Sequence, residues 1–158
     1  MKIRTLALTS LIVLAAAAAV EAGPGKALGL RDRLKGAERA VVGRVLHVQP
    51  RVVRNEFGDV LIVSRLDVLV EETLKGKSAQ RIPVDIEGGT VNGVTLKVSD
   101  LPELKPGARA VLMLSRARSG EFVPHMRGAG VLELDEQGHV KNTELWLDDV
   151  RVAAAQVR

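Results

Sequence analysis

The chain has 158 residues, 23 Lys and Arg against 19 Asp and Glu for a formal charge of +4, and no cysteine. Without cysteine there is no disulfide framework, no thiolate metal site and no cysteine nucleophile. The charge is mild and spread along the chain, which favours solubility and does not by itself indicate nucleic acid.

Residues 1–22 read as an export signal. Lys2 and Arg4 form a short basic region, and an apolar stretch from Leu6 to Val20 follows. Val20-Glu21-Ala22 then places tolerated residues for cleavage before Gly23. The apolar run is shorter than the roughly 20 residues needed to cross a bilayer. Gly23-Pro24-Gly25 ends it with no basic cluster immediately behind. Cleavage is therefore expected rather than anchoring, with no transmembrane segment left afterwards. Residues 23–158 suit one domain with one core.

In chain order, "KALGLRDRLKGAERA" predicts a helix. Leu30, Leu34, Ala37 and Val41 share one helical face, and Gly36 weakens a last turn expected to stop near Glu38. Ala40 to Val48 is a β-rich run with apolar residues on both parities, expected to be covered on both faces and to break at Pro50. "RVVRNEFGDVLIV" predicts two strands joined near Phe57-Gly58-Asp59. The clearest strand is "VLIVSRLDVLVEETL": Val60, Ile62, Leu66, Val68, Val70 and Leu74 share one parity, and Lys75-Gly76 ends it.

"DIEGGTVNGVTLKV" holds three glycines in six positions. Ile82, Val84 and Ile86 share one strand face; Val94, Leu96 and Val98 share another. Asn92-Gly93 between them is a type I′ hairpin signal. An unbroken two-residue hairpin would put the two apolar faces on opposite sides of the sheet. A bulge at Gly88-Gly89 brings Ile86 opposite Val98 and all six side chains to one face. No G-x-G-x-x-G is present and no Lys-Ser or Lys-Thr follows, so the glycines are expected to be architecture and not a cofactor loop.

"LPELKPGARAVLMLSR" adds a turn at Pro106-Gly107 and a strand with Ala110, Leu112 and Leu114 alternating. "EFVPHM" and "GAGVLELD" read as shorter strands, followed by a turn at Glu136-Gln137-Gly138. The end switches to helical period, with Trp146, Val150, Ala153 and Val157 on one face and Asn142 or Thr143 as the cap. The pattern predicts a mainly β domain: a small twisted antiparallel β-barrel with a short N-terminal helix and a C-terminal helix.

The phrases "AVVGRV", "VEETLKG", "GGTVNG" and "LKPGARAVLML", in that order, resemble a set of small exported bacterial proteins of uncharacterised function, over roughly Arg39 to Leu134. The layout is also similar to the OB-type barrel of netrin-like and metalloproteinase-inhibitor domains. Those domains depend on N-terminal cysteines, which this chain lacks, so the resemblance implies a barrel and carries over no inhibitory mechanism.

The chemistry-bearing residues are scattered. His47, His125 and His139 stand far apart with no H-E-x-x-H pair. Glu71-Glu72 on a strand and Asp148-Asp149 on a helix diverge and cannot share a proton as a dyad. Glu72 has core parity and marks a strand end leaving the barrel. Ser64, Ser99, Ser115 and Ser119 belong to no G-x-S-x-G elbow. Phe57, Phe122 and Trp146 are too few to form a stacking track for single-stranded nucleic acid, and Trp146 is expected in the helix core.

No catalytic, cofactor or metal residue is therefore assigned. The expected function is a non-enzymatic exported domain, periplasmic or extracellular, that binds a protein or an envelope component. The alternatives are an envelope hydrolase with a site assembled from distant polar residues, and a carrier of a small apolar ligand inside the barrel. A pocket lined by Val60, Ile62, Leu66 and Val68 would favour the carrier. A histidine meeting a carboxylate would favour the enzyme.

Overall fold

The computed structural model describes residues 29–55 and 57–157. The export signal expected over residues 1–22, and cleavage before Gly23, lie outside the described residues. The elements are helix α1 (Leu30–Gly36), strands β1 (Arg39–Arg54), β2 (Val60–Lys75), β3 (Arg81–Glu87), β4 (Gly89–Val91), β5 (Val94–Leu96), β6 (Arg109–Arg116) and β7 (Phe122–Pro124), a 3-10 turn at Arg127–Gly130, β8 (Val131–Leu134) and helix α2 (Leu147–Ala155). The fold is mainly β with one helix before the strands and one after them, as the alternation predicts.

β1, β2 and β3 run antiparallel in succession. β3 then meets β7 in parallel at one residue pair, Val84 and Phe122. β7 returns antiparallel to β6, which pairs with β8 on one edge and with Arg39–Arg44 of β1. The sheet is thus a partly closed ring rather than a clear barrel, because one side is joined by a single pair.

Two apolar clusters explain why β1 and β6 are apolar on both parities. Val41, Val45, Ala110, Leu112 and Leu114 face the interior of the ring with Leu66, Val68, Ile82 and Val84. Ala40, Val42, Val111 and Met113 face outward against Leu34 and Ala37 beside α1, and against Leu147, Val150, Ala153 and Ala154 of α2. Each fully buried aliphatic side chain contributes roughly 1.5–3 kcal/mol, so strands covered on both faces carry much of the stability.

Several sequence expectations change in detail. α1 ends at Gly36, two residues before the expected stop, and Val41 belongs to β1 rather than to the helix. Lys75 closes that helix end, its ammonium donating to the carbonyls of Leu34, Lys35 and Ala37 at 2.7–2.8 Å. Pro50 does not break β1, which continues to Arg54 with Pro50 opposite Ser64. Strand β6 leaves β1 after Arg44, so only one edge of this part of β1 carries a strand, and an edge tolerates a residue without an N–H. Val60, at the far end of β2, is 59% exposed and not in the core.

The glycine hairpin differs most. Asn92 and Gly93 form the expected two-residue turn, with φ of 50° and 79°. Pairing from it runs only back to Gly89 opposite Leu96, and β4–β5 forms a separate two-stranded sheet. Gly88 and Gly89, with φ of 111° and 129°, turn the chain out of the ring instead of inserting a bulge into one continuous hairpin. Ile82, Val84 and Ile86 are buried as expected, while Val94 lies at the surface and does not share their face.

Trp146 is also displaced from its expected place. It precedes α2 as its N-cap residue and is half exposed, so Asn142 and Thr143 do not cap the helix. Leu147 takes the buried position beside Val150 and Ala153. The helical period was correct; its start fell one turn late because 142–146 are held by local hydrogen bonds, including Thr143 Oγ1 to the carbonyl of Val140 and Leu145 N–H to Thr143 Oγ1.

Candidate functional site

The β4–β5 hairpin and residues 99–106 enclose a groove of about 510 Å³ at one end of the ring. Val48, Ile86, Leu96, Val98, Leu101 and Leu104 supply apolar walls, and Pro50, Pro102 and Pro106 stiffen them. Polar groups stand at Ser64, Thr90 and Thr95, and charge at Glu87, Lys97, Glu103 and Lys105. A mainly apolar concavity of this size with few polar groups is the usual form of a ligand site.

The local sequence explains the groove. Pro102 and Pro106 keep their segment out of the sheet, while Pro50 stands on the free edge of β1. Ser64, which breaks the apolar parity of β2, donates its hydroxyl to the carbonyl of Gly88 at 2.8 Å and fixes where the chain leaves β3. Thr90 and Thr95 hydrogen-bond across the hairpin at 2.8 Å. The other wall is anchored by Arg127, which reaches Asp100 at 3.0 and 3.2 Å and Glu87 at 3.2 Å. That guanidinium holds the Asp100 carboxyl below the usual carboxylate range, and Asp100 with Glu87 raises Arg127 in return.

Outside the ring, Asp85 is the one charged residue buried among those described, at 8% exposure. Arg65 grips it with two hydrogen bonds at 2.7 and 3.0 Å, and Arg51 adds a third at 2.5 Å. Its hydrogen bonds to Asp85 raise the Arg65 guanidinium above its ordinary range. The three residues come from β1, β2 and β3 and tie the outer face of these strands together. Nothing reactive is left over: every oxygen of Asp85 accepts from an arginine.

The candidate chemical residues remain apart. Among the described residues no cluster of three or more His, Asp or Glu could hold a metal ion. His47 lies 3.6 Å from Asp67, and His139 lies 3.8 Å from Asp135. Neither pair has a nucleophile beside it. Asp67 also takes Arg81, and Asp135 spends its other oxygen on the backbone N–H groups of Gln137 and His139. These are surface contacts and a turn.

One pairing was invisible in the sequence. Ser115 Oγ and His125 Nδ1 are 2.7 Å apart, because β6 and β7 pair with Leu114 opposite Pro124. A hydroxyl on an imidazole is the beginning of a nucleophile–base pair. Here the other nitrogen is closed off: a Cβ on Gly36 would come 2.5 Å from His125 Nε2. Among the described residues no carboxylate pairs with this histidine. The contact joins β6 to the segment after β7.

Glu71 and Glu72 diverge as expected. Glu71 takes Arg44 at 3.0 Å and Arg109 at 2.6 Å, whereas Glu72 takes Arg151 of α2 at 2.7 Å. Glu72 and Asp148 together raise the Arg151 guanidinium far above its ordinary value. Asp148 pairs with Arg151, and Asp149 accepts the Trp146 backbone N–H at 2.7 Å.

Of the three aromatic side chains, Phe122 is packed beneath Arg39 and Arg116, Phe57 projects from the β1–β2 turn, and Trp146 stands before α2. They line no common track. No helix among the described residues is long and apolar enough to cross a membrane. Neither a protein-family model nor a curated protein matches the chain.

Proposed function

We propose that this chain is an exported, non-enzymatic binding domain that holds an apolar stretch of a protein partner in the groove between the β4–β5 hairpin and residues 99–106. The observation that carries the reading is that groove: about 510 Å³, apolar walls, and both flanks pinned by hydrogen bonds and ion pairs. A preformed concavity spends little ordering entropy on its ligand. The strand order round the ring, β1-β2-β3-β7-β6 and back to β1, supports an OB-like layout. The groove sits at the end of that ring, not inside it. Leu66, Val68, Leu112 and Leu114 fill the interior with at most 1% exposure, which argues against a ligand carried within the strands. Export rests on the basic, apolar and small-residue order of residues 1–22.

Panning a displayed library of random peptides against the protein, with counter-selection on a Leu96→Asp variant, tests the binding reading. Enrichment of apolar peptides that the variant no longer retains supports it. Recovery of peptides indifferent to Leu96→Asp, with the variant folded by circular dichroism, overturns it. Export is tested separately by N-terminal sequencing of the secreted form, expected to begin at Gly23.

A further inference from the structure

A second concavity shares no residue with that groove. Where the turn after β8 meets the start of α2, a cleft of about 210 Å³ is lined by Arg109, Gln137, Trp146, Asp148 and Arg151 among others. Through Arg109 and Gln137 it opens into a surface basin of about 710 Å³.

Trp146 is half exposed at this cleft, on a backbone held by hydrogen bonds. Its N–H donates to Asp149, and its carbonyl accepts from the N–H groups of Asp149 and Val150. Its indole meets the His139 ring at 4.9 Å between centroids and 61° between planes, and the His139 backbone N–H donates to Asp135 at 2.8 Å. An exposed indole packed against a second ring offers a flat apolar surface to a ligand.

The polar groups around it leave no excess of positive charge. Arg109 donates its Nε to Glu71 at 2.6 Å, and its terminal amino groups make no hydrogen bond among the described residues. The Gln137 amide is exposed on the same rim and none of its side-chain atoms is engaged. The cations of the cleft and basin are all paired with carboxylates, Arg44 and Arg109 sharing Glu71, Lys141 with Glu133 and Arg151 with Glu72 and Asp148, and Asp135 and Glu136 add further negative charge to the basin. A site built for an anion would leave positive charge unopposed. A site for a lipid tail would lack this rim of donors and acceptors.

An aromatic plate bordered by hydrogen-bond donors and acceptors with no unopposed cation suits a molecule with an apolar C–H face and hydroxyl edges. We infer that the Trp146 cleft binds a neutral saccharide. One pyranose ring lies with its C–H groups against the electron-rich indole face. Its hydroxyls hydrogen-bond to Arg109, Gln137 and Asp148, and neighbouring units of the chain extend into the basin.

Trp146 is the one tryptophan of a chain without tyrosine, so its emission reports on the site directly. The purified protein is titrated with maltotriose, cellotriose and chitotriose, and with trigalacturonate as a charged control. Saturable change of emission with at least one neutral trisaccharide in the millimolar range is expected. Gln137→Ala, which keeps the reporter and removes an exposed side chain, should weaken that binding about tenfold, the worth of one hydrogen bond. Leu96→Asp in the other groove should leave it unchanged. Calorimetry on Trp146→Ala should show the binding gone. The inference fails if none of the three neutral trisaccharides changes the emission, if trigalacturonate binds more tightly than they do, or if Trp146→Ala keeps wild-type affinity.

Discussion

Ser64 Oγ occupies the place where a side chain on Gly89 would begin: a Cβ there would lie 2.5 Å from it and 3.2 Å from Pro50 Cβ. The same hydroxyl donates to the carbonyl of Gly88, so one serine both binds the exit of β3 and excludes any larger residue after it. Gly89→Ala therefore meets a clash and a positive φ of 129° together. The expected loss is about 1–3 kcal/mol, measured by urea denaturation. Ser64→Ala in the same chain should recover the part due to the clash and none of the part due to the backbone, which a double-mutant cycle separates.

The hairpin reading makes a second contrast. Ile82 is 1% exposed in the ring interior, whereas Val94 is 65% exposed at the tip of β4–β5. Ile82→Ala should cost about 2–5 kcal/mol. Val94→Ala should change stability by no more than about 0.5 kcal/mol. Equal losses in thermal melts would mean that the two strands share a core after all.

Acid should act on the groove wall. The Asp100 carboxyl is held below its ordinary value of 3.8 by its hydrogen bonds from Arg127. A depressed carboxylate contributes stability that is full above its unfolded pKa and is lost as pH falls through the lower folded value. Asp100→Asn should be less stable than the parent at neutral pH, and the gap should persist to about pH 4 and close below it. Urea midpoints of the two proteins from pH 7 to pH 2 check this, and a gap that widened in acid would contradict it.

The Asp85 clamp predicts a loss without any change in core packing. Asp85→Asn keeps the shape and removes the charge that three arginine hydrogen bonds use. Both arginines retain over a third of their side-chain exposure, so water takes up part of the loss. About 1–3 kcal/mol is expected, smaller in high salt, from denaturation with and without added sodium chloride.

The faces of β2 and β3 were legible because period-two alternation assigns each side chain to one side of a sheet. Ser64 and Glu72 stood out as departures from that alternation, and both prove to be attachment points, one for Gly88 and one for Arg151. The turn at Asn92-Gly93 followed from chemistry local to two residues. What the pattern could not supply was the partner of each edge. Pro50 reads as a break until it is known that β6 has already left β1. Ser115 and His125 meet only through the β6–β7 pairing, and Trp146 fills a cleft wall contributed by β6 and the turn after β8. Part of the groove wall, Leu101 to Pro106, likewise comes from a stretch too short and proline-rich to show any period.

Strand β1 belongs to both apolar clusters, with Ala40 and Val42 in one and Val41 and Val45 in the other. At its bend, Gly43 lies so close to β2 that a Cβ would come 2.4 Å from Val68 Cγ1, and the strand is gripped by β2 and β6 at once. The helical layer and the ring interior are thus two sides of one ribbon, and neither can come apart while the other stays whole. Amide hydrogens in α2 and in β3, on opposite layers, should exchange through the same global opening, and the chain should melt as one cooperative unit.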